Sequence, residues 1–162
     1  MVTKSKIPAQ GLRTRANYQA ALAMEKQGDL GGAFALYEKV VTSEPLNETA
    51  WSRLMVILRK QKKIEQELKL INRAVTTYKK ATEADQKKWV QANKKKAELT
   101  KDLAKALGLL GSNGLPTLNS AILDRWQIRQ NLLSQRLKNA KNKVKQKTKV
   151  KKKMVQKALE II

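Results

Sequence analysis

Lys26-Gln-Gly-Asp-Leu-Gly-Gly-Ala-Phe-Ala-Leu-Tyr-Glu-Lys-Val-Val-Thr-Ser-Glu-Pro45 is the stretch whose reading decides the fold. Leu30, Ala33, Phe34, Tyr37, Val40 and Val41 recur at three- and four-residue steps, which places them on one face of a helix. Gln27-Gly28-Asp29 separates this helix from an earlier one carrying Tyr18, Ala21, Leu22 and Met24. Glu44-Pro45 ends it, because the residue before a proline avoids the helical region. Further on, Asn47 or Glu48 opens a third helix with Trp51, Leu54, Met55, Ile57 and Leu58. A basic turn, Arg59-Lys60-Gln61-Lys62-Lys63, leads into a fourth with Ile64, Leu68, Ile71, Ala74 and Val75.

Short helices joined by short turns invite a test for internal repetition. A shift of 34 residues places Met24 over Leu58, Gly28 over Lys62, Leu30 over Ile64 and Tyr37 over Ile71, keeping apolar character at nearly every inward position. The quoted stretch resembles the second half of a tetratricopeptide repeat. Ala21, Gly28 and Ala33 take the family's small places, Tyr37 its large aromatic place and Pro45 its closing proline. A second unit, roughly 48–81, matches at Trp51, Leu54, Leu58, Ile71 and Ala74. It departs at Glu67 and Lys79, where the family has alanine and proline, and the first unit departs at Asn17, in place of tryptophan.

The resemblance spans residues about 14–81. It implies an all-α scaffold of two antiparallel helix pairs with a concave groove lined by the first helix of each pair. Carried over by position, the groove candidates are Arg15, Tyr18, Leu22 and Glu25, then Ser52, Arg53, Val56 and Arg59. Family members that grip a C-terminal carboxylate use Lys and Asn where Tyr18 and Leu22 stand, so that activity is not implied. A protein partner in the groove and a groove filled by the chain's own later helices are both open.

Two helix pairs need a cap. Residues 1–12 read as a flexible basic arm, 13–81 as the repeats, 82–137 as a capping helical hairpin and 138–162 as a basic helical extension. The stripe Trp89, Ala92, Leu99, Leu103, Ala106, Leu107 and Leu110 predicts one long helix, opened by Thr82 or Asp85 and closed by Gly111. After the break at Ser112–Thr117, Asn119 or Ser120 opens a last helix along Ile122, Trp126, Leu133, Leu137, Ala140, Val144, Val155 and Leu159. Residues 119–137 are expected to pack on the helix before them. Trp51, Trp89 and Trp126 are all assigned to the core.

Composition narrows the chemistry. The chain has no Cys and no His among its 162 residues. This removes thiolate nucleophiles, thiolate zinc sites, the commonest general base and every triad built on histidine. Gly108–Gly114 lacks the Gly-Lys-Ser/Thr of a phosphate loop. No catalytic residue, metal or cofactor is therefore expected, and the chain reads as non-enzymatic. The first fifteen residues hold no apolar run of secretory length and no stretch is apolar enough to span a membrane, so a cytoplasmic location is expected.

The charge is lopsided: 35 Lys and Arg against 13 Asp and Glu, a net +22. Between Arg125 and Leu159 there are 13 basic residues and no acid. Such a segment repels itself and orders against an anion. The expected phosphate contacts are Arg129, Arg136, Lys138, Lys141, Lys143, Lys145, Lys147, Lys149, Lys151, Lys152 and Lys153. Lysine suits backbone contact rather than base reading, and few aromatics are interleaved for stacking. RNA or a ribonucleoprotein is the first expected partner and DNA the next, ahead of acidic protein tails and anionic membrane surfaces. The alternative is a protein–protein adaptor whose tail solubilises or targets it.

Overall fold

A computed structural model describes residues 9–117 and 120–159; for Ala9, Val144, Lys145 and residues 149–159 it describes the backbone alone. The chain is all-α, with six helices among the described residues: α1 (Ala9–Lys26), α2 (Leu30–Ser43), α3 (Glu48–Lys60), α4 (Ile64–Ala92), α5 (Lys94–Ala106) and α6 (Ala121–Leu159). Residues 1–8 of the expected N-terminal arm and the expected helix start at Asn119 lie outside the described residues, while Ala9–Leu12 of that arm already belong to α1.

The first two helices form an antiparallel pair closed by a Schellman turn. Gly28 sits at φ 86°, Gly28 N–H donates to Glu25 O at 3.2 Å and Asp29 N–H to Met24 O at 3.0 Å, which satisfies carbonyls that the end of α1 would leave bare. Asp29 then caps α2, accepting from Gly32 N–H at 2.9 Å. Gly32 is small for a reason: a Cβ there would press on the capping carboxylate and stand 2.8 Å from Met24 Sδ. The turn between α3 and α4 has the same geometry 34 residues later. Lys62 N–H donates to Arg59 O and Lys63 N–H to Leu58 O, both at 3.0 Å, but here a lysine occupies the left-handed position at φ 57°.

Between these pairs, Asn47 caps α3 by accepting from Ala50 N–H at 3.0 Å. The core forms where α1 to α4 meet, around Ala21, Tyr37, Val40, Trp51, Leu54, Ile57 and Ile71. Trp51 satisfies its indole N–H on Pro45 O at 2.9 Å, and Arg73 lies over its ring.

Beyond the second pair the structure departs from the expected hairpin. α4 does not stop near residue 81, and no helix starts at Thr82 or Asp85. Residues 76–92 contain neither Gly nor Pro, and Lys79 stands where a proline would have ended the helix. The Thr82 hydroxyl donates back to Tyr78 O and caps nothing. The break falls at Asn93 (φ −123°, ψ 38°), whose side chain donates to Trp89 O, and three lysines at once occupy the first turn of α5, where the helix dipole disfavours them. α5 ends at Gly108 (φ 66°), not Gly111, through a further Schellman turn: Leu109 N–H donates to Ala104 O and Gly108 N–H to Lys105 O.

α6 packs on α4, not on the helix before it. It runs antiparallel to the first half of α4, with the Trp126 ring edge-on to Tyr78 at 5.6 Å and Gln130 Nε2 donating to Asn72 Oδ1 at 2.6 Å. Leu123, Trp126 and Leu133 complete the common core. α6 lies on the apolar side of α4, so among the described residues nothing covers α5. No residue of α5 is buried, and Trp89 is 55 % and Leu99 85 % exposed. The expected core stripe from Trp89 to Leu107 is therefore surface, whereas Trp51 and Trp126 are core as expected.

Candidate polyanion-binding surface

Two acids organise the cations of the folded body. Glu25, on α1, is held by Arg53 Nε at 3.3 Å and Lys60 Nζ at 3.2 Å, both from α3, and accepts from the Tyr37 hydroxyl at 3.3 Å. Burial pushes the Tyr37 phenol above its ordinary pKa, so it serves as a neutral donor. Glu67, on α4, is 1 % exposed. Its Oε1 accepts from Arg59 Nε at 3.3 Å and Nη2 at 3.2 Å; Arg129 reaches Oε1 through Nε at 2.9 Å and Oε2 through Nη2 at 3.0 Å. A carboxylate this deep is tolerated only when paired and hydrogen-bonded. The cluster ties α3, α4 and α6 together at one point.

These pairs reassign several expected site residues. Arg129, expected on phosphate, has its guanidinium committed to Glu67. Arg59 and Arg53, expected to line a groove, are committed to Glu67 and Glu25. Tyr18 is half-buried and edge-on to Tyr37 at 5.6 Å, and Leu22 packs against the core. Val56 is half-buried and Arg15 exposed. The groove candidates thus hold the helices together more than they present a free surface.

The remaining candidates share one place. Among the described side chains of α6 the last fully buried one is Leu133, and Leu137 is half-buried. From there α6 continues through Leu159, a further 22 residues or roughly 33 Å at 1.5 Å per residue. Arg136, Lys138, Lys141, Lys143 and Lys147 are exposed, and among the described residues none of them makes an ion pair. Lys145, Lys149, Lys151, Lys152 and Lys153 belong to the same helix, with side chains outside the described residues. No acid follows Asp124 within α6. What this arrangement can do is bind an extended anion along its length.

Sequence reasoning missed the Glu67 cluster. Its signal was an acid, Glu67, in the middle of an apolar helix pattern, together with an arginine adjoining the apolar stripe of α6. Among the described residues no group of three acids could hold a metal, and no helix is long and apolar enough to cross a membrane. No family model, no curated protein sequence and no solved structure matches the chain significantly.

Proposed function

We propose that this chain is a non-enzymatic, tetratricopeptide-like helical scaffold that binds polyanions, RNA or a ribonucleoprotein before DNA, through lysine–phosphate contacts of the distal half of α6. One observation carries the reading. The folded body pairs its buried acids with arginines and lysines, whereas α6 runs on past Leu137 to Leu159 with cations and no acid at all. Strongly hydrated ammonium groups on a protruding helix suit phosphate oxygens and carry no base code.

The test is binding of the full chain to RNA and to DNA across a salt series, beside a chain truncated after Leu137. Each phosphate contact on duplex DNA contributes a log–log salt slope of about −0.9, so several contacts produce a steep fall in affinity. Truncation is expected to remove most of the binding and most of the slope. Salt-insensitive binding, or binding untouched by the truncation, would refute the proposal.

A protein–protein adaptor is the second reading, and α5 favours it: Leu99, Leu103 and Leu107 form an exposed apolar row on a helix that nothing covers among the described residues. Pull-down from nuclease-treated extract separates the two readings. Partners that survive nuclease and depend on Leu103 favour the adaptor.

A further inference from the structure

Helical register sorts the distal lysines of α6 into two sets. Successive residues advance about 100° around a helix, so residues four apart follow one another at about 40° and form a row. Positions 141, 145, 149 and 153, with 138 and 152 beside them, form one such row; positions 143, 147 and 151 form another. A two-residue offset turns about 200°, which sets the rows on opposite edges of the helix. Through residues 138–153 the flanks between them carry no lysine: Asn139, Gln146 and Val150 fall on one side, joined by Lys157 further on, and Val144 and Thr148 on the other. Both edges reach solvent, since Lys138 and Lys141 of the first row and Lys143 and Lys147 of the second are exposed. The charge is therefore not spread evenly around the helix.

A helix with its side chains is roughly 10–12 Å across, so one phosphate strand lying along one edge leaves the other edge unneutralised. The major groove of B-form DNA, about 12 Å wide, admits a helix and would offer both flanking strands of one duplex. The major groove of A-form RNA is too narrow and deep for this. Against RNA, opposite edges must meet separate backbone segments. Resting on the polyanion reading above, we infer that distal α6 is a bridge, which holds one RNA backbone on each edge and joins two duplexes or two arms of one folded RNA.

The experiment uses the full chain and two short blunt RNA duplexes, one carrying biotin and one a fluorophore. The intact chain is expected to bring the fluorescent duplex onto the immobilised one, and sedimentation is expected to give two duplexes per single chain. The triple variant K143Q/K147Q/K151Q removes one edge only. It is expected to cut co-capture at least tenfold, to hold one duplex per chain, and to flatten the salt slope by roughly three contacts' worth, about 0.9 each. Substituting positions 141, 145, 149 and 153 by glutamine is expected to do the same from the other side. The variants lie beyond the packed part of α6, and circular dichroism reports any loss of helix. One duplex per chain at saturating RNA, co-capture that survives removal of an edge, or bridges containing two chains would overturn the inference while leaving RNA binding intact. An intact chain that binds no RNA duplex sinks the polyanion reading itself, and the bridge with it.

Discussion

The α1–α2 and α3–α4 pairs turn through the same backbone geometry 34 residues apart and reach it by different chemistry. In the first pair each local choice agrees with the fold. Gly28 takes the left-handed position without steric cost, Asp29 caps the next helix, and Pro45 follows its end. The second pair breaks each of these rules. Lys62 is forced left-handed, Lys63 offers α4 no side-chain cap, nothing stops α4 before Asn93, and an acid, Glu67, is buried in the core. The second pair is packed and paired by α6. α6 supplies Arg129 to the buried acid and lays Leu123, Trp126 and Leu133 over α4. Local consistency shapes the turn of the first pair; tertiary contact compensates the second.

The largest effect expected from breaking this arrangement is at Glu67. Removing one partner of a buried ion pair typically costs 3–5 kcal/mol. Arg59 is half-exposed and Arg129 is 23 % exposed, so both regain some water, and E67A is expected near the lower end, about 3 kcal/mol by denaturant titration. E25A leaves Arg53 and Lys60, neither as enclosed as Arg129, and should cost about 1 kcal/mol. Equal costs at the two sites would end the claim that the second pair depends on α6. Next comes L133A, at a fully buried position, expected to cost about 3 kcal/mol. Amide exchange should accelerate more in α3 and α4 than in α1 and α2. Uniform acceleration would mean that the two pairs open as one unit.

The same contrast explains what could be read from the sequence. α1 to α3 were legible to within a few residues because Gly28, Asp29, Pro45 and Asn47 act locally and leave a local signal. The run-on of α4 was hidden behind an expected stop at a position that holds Lys79. The fate of α5 was illegible for a different reason. Its stripe at Leu99, Leu103 and Leu107 has the same periodicity whether the helix is covered or not, and only the placing of α6 on α4 decides which. The lysine run of distal α6 could be read as charge. Its two edges emerge once the helix is known to continue unbroken through Leu159. Arg129 could not be separated from its basic neighbours, because Glu67, its partner, lies 62 residues away in sequence.

Smaller substitutions sharpen the comparison at the turns. A non-glycine residue in the left-handed conformation costs roughly 1–2 kcal/mol, so G28A should destabilise by about 1 kcal/mol and K62G should stabilise by a similar amount. A Cβ at position 28 meets no neighbouring atom, so the cost there is conformational and not a clash. A K62G chain no more stable than the parent would show that the lysine's own contacts offset its backbone strain.

The smallest effect is at Lys63, which serves two helices at once. It follows the C-terminal end of α3, where a cation is favoured, and precedes α4, where it is not. K63D reverses both terms, so they nearly cancel, and what remains is the new cap hydrogen bond. K63S adds a cap without placing a negative charge at the end of α3. With the two dipole terms balanced, both variants should gain alike, by about 0.5–1 kcal/mol. Asp29 holds the same double position in the first pair, and D29S there should change stability little, since serine caps about as well as aspartate. If K63D outperforms K63S, the α4 terminus dominates the junction and the two turns differ in electrostatics as well as in strain.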